Sequence, residues 1–249
     1  YAFGNCFSLT SVNLPKNLKK IGERAFAQTD IRELAFPEGL ETIGNRAFAG
    51  CSYLETVSFP ASVEKIDDYA FASCKLLEKI TLPHNADYVG QYAFMDCKAI
   101  TEVIIPENVN SIGELTFYRC ENIETVHLYA ANCDVVLETE FDEEAIPESP
   151  FITSTKLKNI IVHDTVRELP SFLYSGLQNI CEVTLPDSVT DIGVGAFANS
   201  SVSGFTSLAG IESIEEYAFK NCTYLEKINL GNSLLVIGTG AFTGCDWLE

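Results

Sequence analysis

Nine cysteines and three histidines are the side chains of this chain with the greatest potential for chemistry. No two cysteines have the C-x-x-C spacing of a zinc site. Seven of them lie three residues after an aromatic residue, and Thr29, Ser154, Leu177 and Ser200 take the equivalent place elsewhere, which is typical of a small buried position. We therefore predict buried free thiols at the seven positions: Cys6, Cys51, Cys74, Cys97, Cys120, Cys222 and Cys245. Cys133 and Cys181 fall outside this pattern, and Cys133 is predicted to be the more reactive.

The three histidines are His84, His127 and His163. His84 and His163 stand at turns, and neither is paired with a serine or cysteine in a nucleophile motif. His127 and His163 could lie on neighbouring repeats, but a two-histidine metal site lacks further evident ligands. Glycine-rich phosphate loops, H-E-x-x-H and G-x-S-x-G are missing from the sequence. The sequence therefore predicts no catalytic residue, no cofactor and no metal site, and a protein that is not an enzyme.

These residues belong to a unit that repeats about every 23 residues. Its signature is a small residue followed by an aromatic anchor, as in Ala70-Phe71. Eleven anchors follow this pattern: Phe3, Phe26, Phe48, Phe71, Phe94, Phe117, Phe151, Tyr174, Phe197, Phe219 and Phe242. A fixed period of this length indicates a solenoid, in which each repeat, called a coil below, buries its apolar face against its neighbours.

Residues 54–74 give the clearest view of one unit. Val57 and Phe59 alternate with polar residues, which predicts a short strand with those two side chains inward. Pro60 ends the strand because it cannot donate a ladder hydrogen bond. Glycine after the second apolar pair, as in Ile43-Gly44, suits a tight corner, and the segment from there to the cysteine is predicted to form a turn of 3₁₀ or α-helix.

This unit resembles the bacterial leucine-rich repeats of the BspA-like, or Treponema-type, family, and the resemblance covers essentially all of residues 1–249. The resemblance implies an α/β repeat solenoid. Its right-handed coil would have about eleven units of roughly 23 residues, with short parallel strands on one face and short helical or 3₁₀ turns opposite. It also implies a surface or secreted protein of host-associated bacteria that binds other proteins rather than catalysing a reaction.

The continuous period predicts one elongated domain over residues 1–249, and we interpret the chain as a fragment of a longer protein. Its formal net charge of −19 argues against binding to nucleic acid or to an anionic membrane. No apolar run approaches the roughly 18 residues that span a membrane, so no membrane insertion is expected within this fragment.

The repeat is interrupted between Phe117 and Phe151, where the step is about 11 residues longer than the usual one. The extra, acidic residues are placed within 129–146. In the run 138–144, Phe141 stands among five acidic residues. This insertion is interpreted as a tolerated excursion, or as a recognition loop with Phe141 as its anchor and the acids steering a basic partner. A calcium site is a third alternative, although the D-x-D-x-D-G spacing is missing.

The outward residues of the predicted strands are mostly small and polar. Ile104 and Ile161 are apolar exceptions, and they flank the coil that holds His127 and the insertion. Ile104, His127, Phe141 and Ile161 are therefore the candidate partner-binding residues, against the alternative of ordinary variation along the strand face.

These observations predict a non-enzymatic, cell-surface or secreted repeat protein that mediates protein–protein interaction or adhesion. Its partner would be a protein, such as a host extracellular matrix protein or receptor, or a glycan. The alternative is a structural spacer that presents another domain of the full-length protein. A third hypothesis is an enzyme whose catalytic domain lies outside these residues.

Overall fold

The structure, a computed structural model, describes residues 1–137, 145–206 and 208–249. Over these residues the chain winds into a parallel β-solenoid of about nine turns of roughly 23 residues. Each complete coil contributes two very short strands and one run of consecutive turns, which carries the aromatic anchor. The strands are β1 (Lys20–Ile21), β2 (Glu33–Ala35), β3 (Thr42–Ile43), β4 (Thr56–Ser58), β5 (Lys65–Ile66), β6 (Lys79–Thr81), β7 (Tyr88–Val89), β8 (Glu102–Ile105), β9 (Ser111–Gly113), β10 (Thr125–Leu128), β11 (Asp134–Val136), β12 (Asn159–Val162), β13 (Glu168–Leu169), β14 (Glu182–Val183), β15 (Asp191–Ile192), β16 (Gly204–Phe205), β17 (Ser213–Ile214) and β18 (Val236–Ile237).

The strands stack into two columns along the solenoid. The strand-face column contains the pairings β2-β4, β12-β10-β8-β6 and β14-β16, and its outward side is the strand face. The corner column contains β1-β3-β5-β7-β9-β11 and β13-β15-β17-β18. All of these pairings are parallel, which confirms the predicted short parallel strands. The corner column was not predicted, because most of its strands are two residues long and too short to show an alternation.

The predicted helical turns are wrong, because the described residues contain no helix. In the second coil Arg24 and Gln28 both have positive φ, 48° and 58°, and residues in that region interrupt a right-handed helix. The amide of Phe26 donates to the carbonyl of Ala47 in the next coil at 2.8 Å, whereas that of Ala27 donates to Arg24 within its own turn at 3.3 Å. Successive amides therefore alternate between two coils, and consecutive helical hydrogen bonds cannot form.

The predicted count of eleven units is also too high, because eleven anchors do not make eleven complete coils. Among the described residues, no strand precedes Lys20 and none follows Ile237. The segment of Phe3 therefore contributes a turn but no strand, and the units of the anchors Phe26 and Phe242 contribute one strand each, β1 and β18. About nine turns of the solenoid remain.

The core contains the anchor rings in two stacks, one from Phe3 to Phe151 and one from Tyr174 to Phe242. Phe71 lies with its ring centroid 5.2 Å from Phe48 and 5.4 Å from Phe94, nearly parallel to both. A second set of rings meets these stacks edge-on, with Phe59 5.6 Å from Phe71. Phe205, in the irregular segment around residue 205, fills the equivalent place 5.1 Å from Phe197. The ring stacks and the two strand columns together fix the spacing between coils.

The structure narrows the position of the insertion. β11 pairs with β9 in the normal register, with Val135 opposite Ile112. The next turn is also in place, because the amide of Phe117 donates to the carbonyl of Pro150 at 3.3 Å. Residues 129–136 thus belong to a regular coil, and the additional length of sequence falls between Val136 and Pro150. Phe141 and the acidic run 138–144 lie outside the described residues.

Candidate binding surface on the strand face

Three of the four predicted binding residues lie side by side. In the strand-face column Ile104 of β8 is directly opposite His127 of β10, which is directly opposite Ile161 of β12. Directly paired side chains of neighbouring strands point to the same face. Ile161 is 39% exposed, while Ile104 and His127 are half-buried. The register is kept across the long step between β10 and β12 because the additional length of sequence falls after β11, which is itself in regular register. Phe141, the fourth predicted residue, is not described.

A second histidine joins this row. His163 directly follows β12, where other coils have the turn proline, and its backbone amide donates to the carbonyl of Leu128 at 3.0 Å. This places its Nε2 atom 3.1 Å from Nδ1 of His127. The ring of Tyr129 stacks on that of His163, with centroids 3.7 Å apart and an interplanar angle of 9°. We call Ile104, His127, Ile161, His163 and Tyr129 the strand-face patch.

Glu102 and Asp164 are acidic neighbours of the two histidines of the patch. Glu102 of β8 accepts a hydrogen bond from Lys79 Nζ at 2.7 Å, and its Oε1 is 4.0 Å from Nε2 of His127. Burial lowers the pKa of His163 below its ordinary value of 6.5, and His127 lowers it further, whereas Asp164 acts in the opposite direction. The His163 ring is therefore neutral at neutral pH, and the patch presents imidazoles, an aromatic ring and two apolar side chains.

Sequence reasoning missed His163 and Tyr129 as members of the patch. Part of the signal was present, because Tyr129 follows β10 directly and lies two residues after His127, which places both on one face of extended backbone. The possible adjacency of His127 and His163 on neighbouring coils was also raised by the sequence. The approach of His163 depended on the additional length of sequence falling after β11, which the period alone does not reveal.

A shallow groove on the turn side is a second surface that the sequence did not reveal. It has a volume of about 510 Å³, and its lining includes Arg24, Arg46, Ala49 and Gly50. The guanidinium of Arg46 lies 4.2 Å from the centroid of the Tyr69 ring, whose other neighbour, Tyr92, has its ring centroid 4.9 Å away. The guanidinium of Arg46 and the rings of Tyr69 and Tyr92 thus cover one another's faces. A ligand in the groove would find few faces to stack on, and the strand-face patch is therefore the better candidate.

The cysteines contribute no reactive centre to the patch. All nine are free thiols, and five of the seven positions predicted to be buried are buried; the prediction of burial is wrong for Cys6, which is exposed, and for Cys245, which is half-buried. The prediction of a reactive Cys133 is wrong, because it is only 3% exposed and burial raises the pKa of its thiol to about 12. It belongs to the regular coil just before β11, and it lies beneath the surface there. Cys6 and Cys181 are the exposed thiols.

The described part of the chain contains no group of three or more histidine, cysteine or acidic side chains placed to hold a metal ion. No helix within the described ranges has the length and apolar character needed to cross a bilayer.

Together, the parallel coils, the stacked anchors and the exposed strand row define a leucine-rich-repeat solenoid. The BspA type leucine-rich repeat region matches residues 1–124 and 144–249 in six copies. The chain therefore belongs to the BspA-type leucine-rich repeat family, whose solenoids are generally non-catalytic.

Solved structures with the same fold support this assignment. A leucine-rich repeat protein from Bacteroides ovatus is 30% identical with a TM-score of 0.62, over 99% of this chain and 67% of that one. A leucine-rich repeat protein from Eubacterium ventriosum is 22% identical with a TM-score of 0.53, over 91% of this chain and 68% of that one. No curated protein matches the sequence significantly.

Proposed function

We propose that this chain is a non-enzymatic binding module, exposed on or secreted from a bacterial cell, that engages an extracellular protein through the strand-face patch. The observation that carries the proposal is the direct alignment of Ile104, His127 and Ile161 across three neighbouring strands. A host matrix protein or receptor is the favoured partner, and a glycan is the alternative.

The physical argument rests on contrast along one row of the strand face. In the same row β2, β4 and β6 present Ala35, Ser58 and Thr81, which are small and offer little apolar area. The patch replaces these with two isoleucines and a histidine, next to the stacked pair Tyr129 and His163. Aromatic and apolar side chains that a partner can desolvate supply most of the affinity in protein interfaces.

A matched pair of substitutions, each of which introduces one glutamate, tests the proposal. Ile161→Glu and Ser58→Glu add the same charge to the same row at different coils. Binding of immobilised chain to a panel of extracellular matrix proteins, receptors and mucins is measured for both. We expect Ile161→Glu to weaken saturable binding about 10-fold, which is roughly 1.4 kcal/mol, and Ser58→Glu to leave it unchanged. Equal effects from the two variants, or a retained wild-type affinity in Ile161→Glu, would contradict the assignment of the patch.

The acidic run is tested separately with a variant that lacks residues 138–144. A loss of binding in this variant alone would assign recognition to the insertion and to Phe141. Unchanged binding would leave the strand-face patch as the site.

A structural spacer is the second candidate function, and the long ring stack from Phe3 to Phe151 favours it. Successive anchors such as Phe94 and Phe117 keep a centroid spacing of 5.4 Å in nearly parallel planes, which gives a stiff rod suited to holding another domain at a distance. A chain that binds no member of the panel would support this role.

A further inference from the structure

We propose that His127 and His163 bind one borderline divalent metal ion of the Zn²⁺ and Cu²⁺ class on the strand face, through Nδ1 of His127 and Nε2 of His163. Imidazole nitrogen suits these ions. The two nitrogen atoms are 3.1 Å apart and share a hydrogen bond, so the nitrogen that donates must pass its proton to the other nitrogen of its own ring, through solvent, when an ion binds both. If each lies about 2.05 Å from a common ion, they subtend roughly 98° at it, between the right angle of square-planar sites and the tetrahedral angle.

The surroundings hold both rings in place. The ring of His163 is fixed by its stack on Tyr129, at 3.7 Å, and by the backbone hydrogen bond to Leu128 that sets its turn. His127 is fixed within β10, between the paired strands β8 and β12. One ligand in β10 and one directly after its paired strand β12 need little rearrangement to bind an ion, so little conformational entropy is lost.

The charge of the Glu102 carboxylate favours one tautomer of His127. Its Oε1 lies 4.0 Å from Nε2 of His127, which is beyond hydrogen-bond distance, so it attracts a proton on Nε2 only electrostatically. That tautomer leaves the lone pair on Nδ1, the atom that faces Nε2 of His163. A carboxylate behind a metal-binding histidine is the usual arrangement of such sites. The formal net charge of −19 also raises the concentration of cations around the whole surface.

The site has two protein ligands and therefore leaves positions for water. Its affinity must be lower than that of a three- or four-ligand zinc site, and it must favour ions that prefer nitrogen over hard ions such as Ca²⁺. Metal binding stands apart from the partner proposed above, since it needs only the two imidazoles.

The experiment uses the tag-free chain with Cys6→Ser and Cys181→Ser, which remove the two exposed thiols as competing ligands. Zn²⁺ is titrated calorimetrically, and Cu²⁺ is added for electron paramagnetic resonance. The variants are His127→Gln and His163→Gln. The matched control is His84→Gln, because His84 is an exposed histidine on the turn after Pro83. Circular dichroism and thermal unfolding without metal confirm the fold of each variant.

We expect one Zn²⁺ per chain, nitrogen coordination in the Cu²⁺ spectrum, and a loss of affinity of about 10-fold or more in each patch variant. The His84→Gln control is expected to bind like the parent chain, and Ca²⁺ is expected not to compete. Parent-like Zn²⁺ affinity in either patch variant, or no Zn²⁺ binding by the parent chain, would overturn the proposal. If a patch variant fails to fold, the other variant and the nitrogen signal of the parent decide the matter.

Discussion

At the residue scale, the repeated cysteine is a hydrogen-bond donor as well as a small buried residue. The thiol of Cys97 donates to the carbonyl of Phe71 in the preceding coil at 3.2 Å, and that of Cys120 to Phe94 at 3.0 Å. The hydroxyl of Ser154 also donates to the preceding coil, but its acceptor is the carbonyl of Cys120 at 3.1 Å rather than that of the anchor Phe117. The sequence held this signal, because three of the four substitutes for cysteine carry a hydroxyl group.

This burial predicts a pattern of thiol reactivity. In the native protein at mildly alkaline pH, iodoacetamide should modify Cys6 and Cys181, which are exposed. Cys97 and Cys133 should resist, because burial raises the pKa of both thiols and prevents access of the reagent. Peptide mass spectrometry before and after denaturation measures this. Labelling of Cys133 as fast as Cys181 in the native protein would show that its coil opens readily.

The same thiols predict a loss of stability in alkali. Burial raises the pKa of Cys222 to about 12 from its ordinary value of 9.0, so its stabilising contribution is complete below pH 9 and is lost as the pH rises from there toward 12. At pH 10 the linkage amounts to about 1 kcal/mol for this thiol. Cys222→Ser should reduce the loss by that amount, because serine stands at the same place in another coil.

Urea unfolding at pH 8 and pH 10, for wild type and Cys222→Ser, tests this prediction. Tyrosine ionisation is common to both chains and cancels in the comparison. An identical loss of unfolding free energy in the two chains would show that the Cys222 thiol ionises equally in the folded and unfolded states.

At the scale of elements, the sequence predicted the strand-face strands well and the turns poorly. The alternation around Val57 identifies β4 because one face is buried and the other is solvated. The turn beside Phe71 has the spacing of a helical turn, but Tyr69 and Ser73 adopt positive φ of 56° and 62°. The residue types at these positions do not predict positive φ. This conformation depends on backbone hydrogen bonds to the next coil, which are tertiary contacts.

Two corner glycines, Gly90 and Gly22, allow a prediction of stability in which one position serves as the control for the other. A Cβ atom on Gly90 would lie 2.5 Å from the backbone nitrogen of Asp68 in the preceding coil, whereas one on Gly22, at the equivalent corner, would meet nothing within 4 Å. Gly90→Ala should therefore cost about 1–3 kcal/mol through overpacking, and Gly22→Ala should cost far less. Chemical denaturation of the two variants measures the difference. Equal costs would mean that the corner backbone shifts freely to admit a methyl group.

At the scale of the whole molecule, stability is distributed along the ring stacks. Phe94 is fully buried between two rings, each 5.4 Å away by centroid. Phe94→Ala should cost about 3–5 kcal/mol by leaving a cavity in the middle of the rod. Phe3 is 45% exposed and stacks on Phe26. Phe3→Ala should therefore lower the free energy of unfolding by only about 1 kcal/mol.

Equilibrium unfolding of Phe94→Ala and Phe3→Ala, followed by both fluorescence and circular dichroism, compares the two sites. Each coil contacts only its neighbours. In Phe94→Ala, the unfolding transition followed by fluorescence is therefore expected to have a different midpoint from the one followed by circular dichroism. A cost for Phe94→Ala as small as that for Phe3→Ala would contradict a continuous core.

The candidate site was predictable only where it depends on register alone. Ile104, His127 and Ile161 follow from adding whole coils to one strand position, and the structure places them in one row. The position of His163 relative to His127 does not follow from the repeat period alone. The two are separated by the additional length of sequence, and the period does not show where in the coil that length falls. Residues 138–144 remain a sequence-based proposal.

The alternating amides of the turns have one more consequence. Tyr69 donates to Gln91 and Arg46 donates to Asp68, each exactly one coil ahead, so Asp68 and Gln91 are interchangeable as acceptors. Removing residues 69–91 would join Asp68 to Tyr92 and bring Phe94 onto Phe48 with every ladder intact. The length of the rod can thus change by whole coils without altering the outward side chains elsewhere, so reach and recognition can vary independently in this architecture.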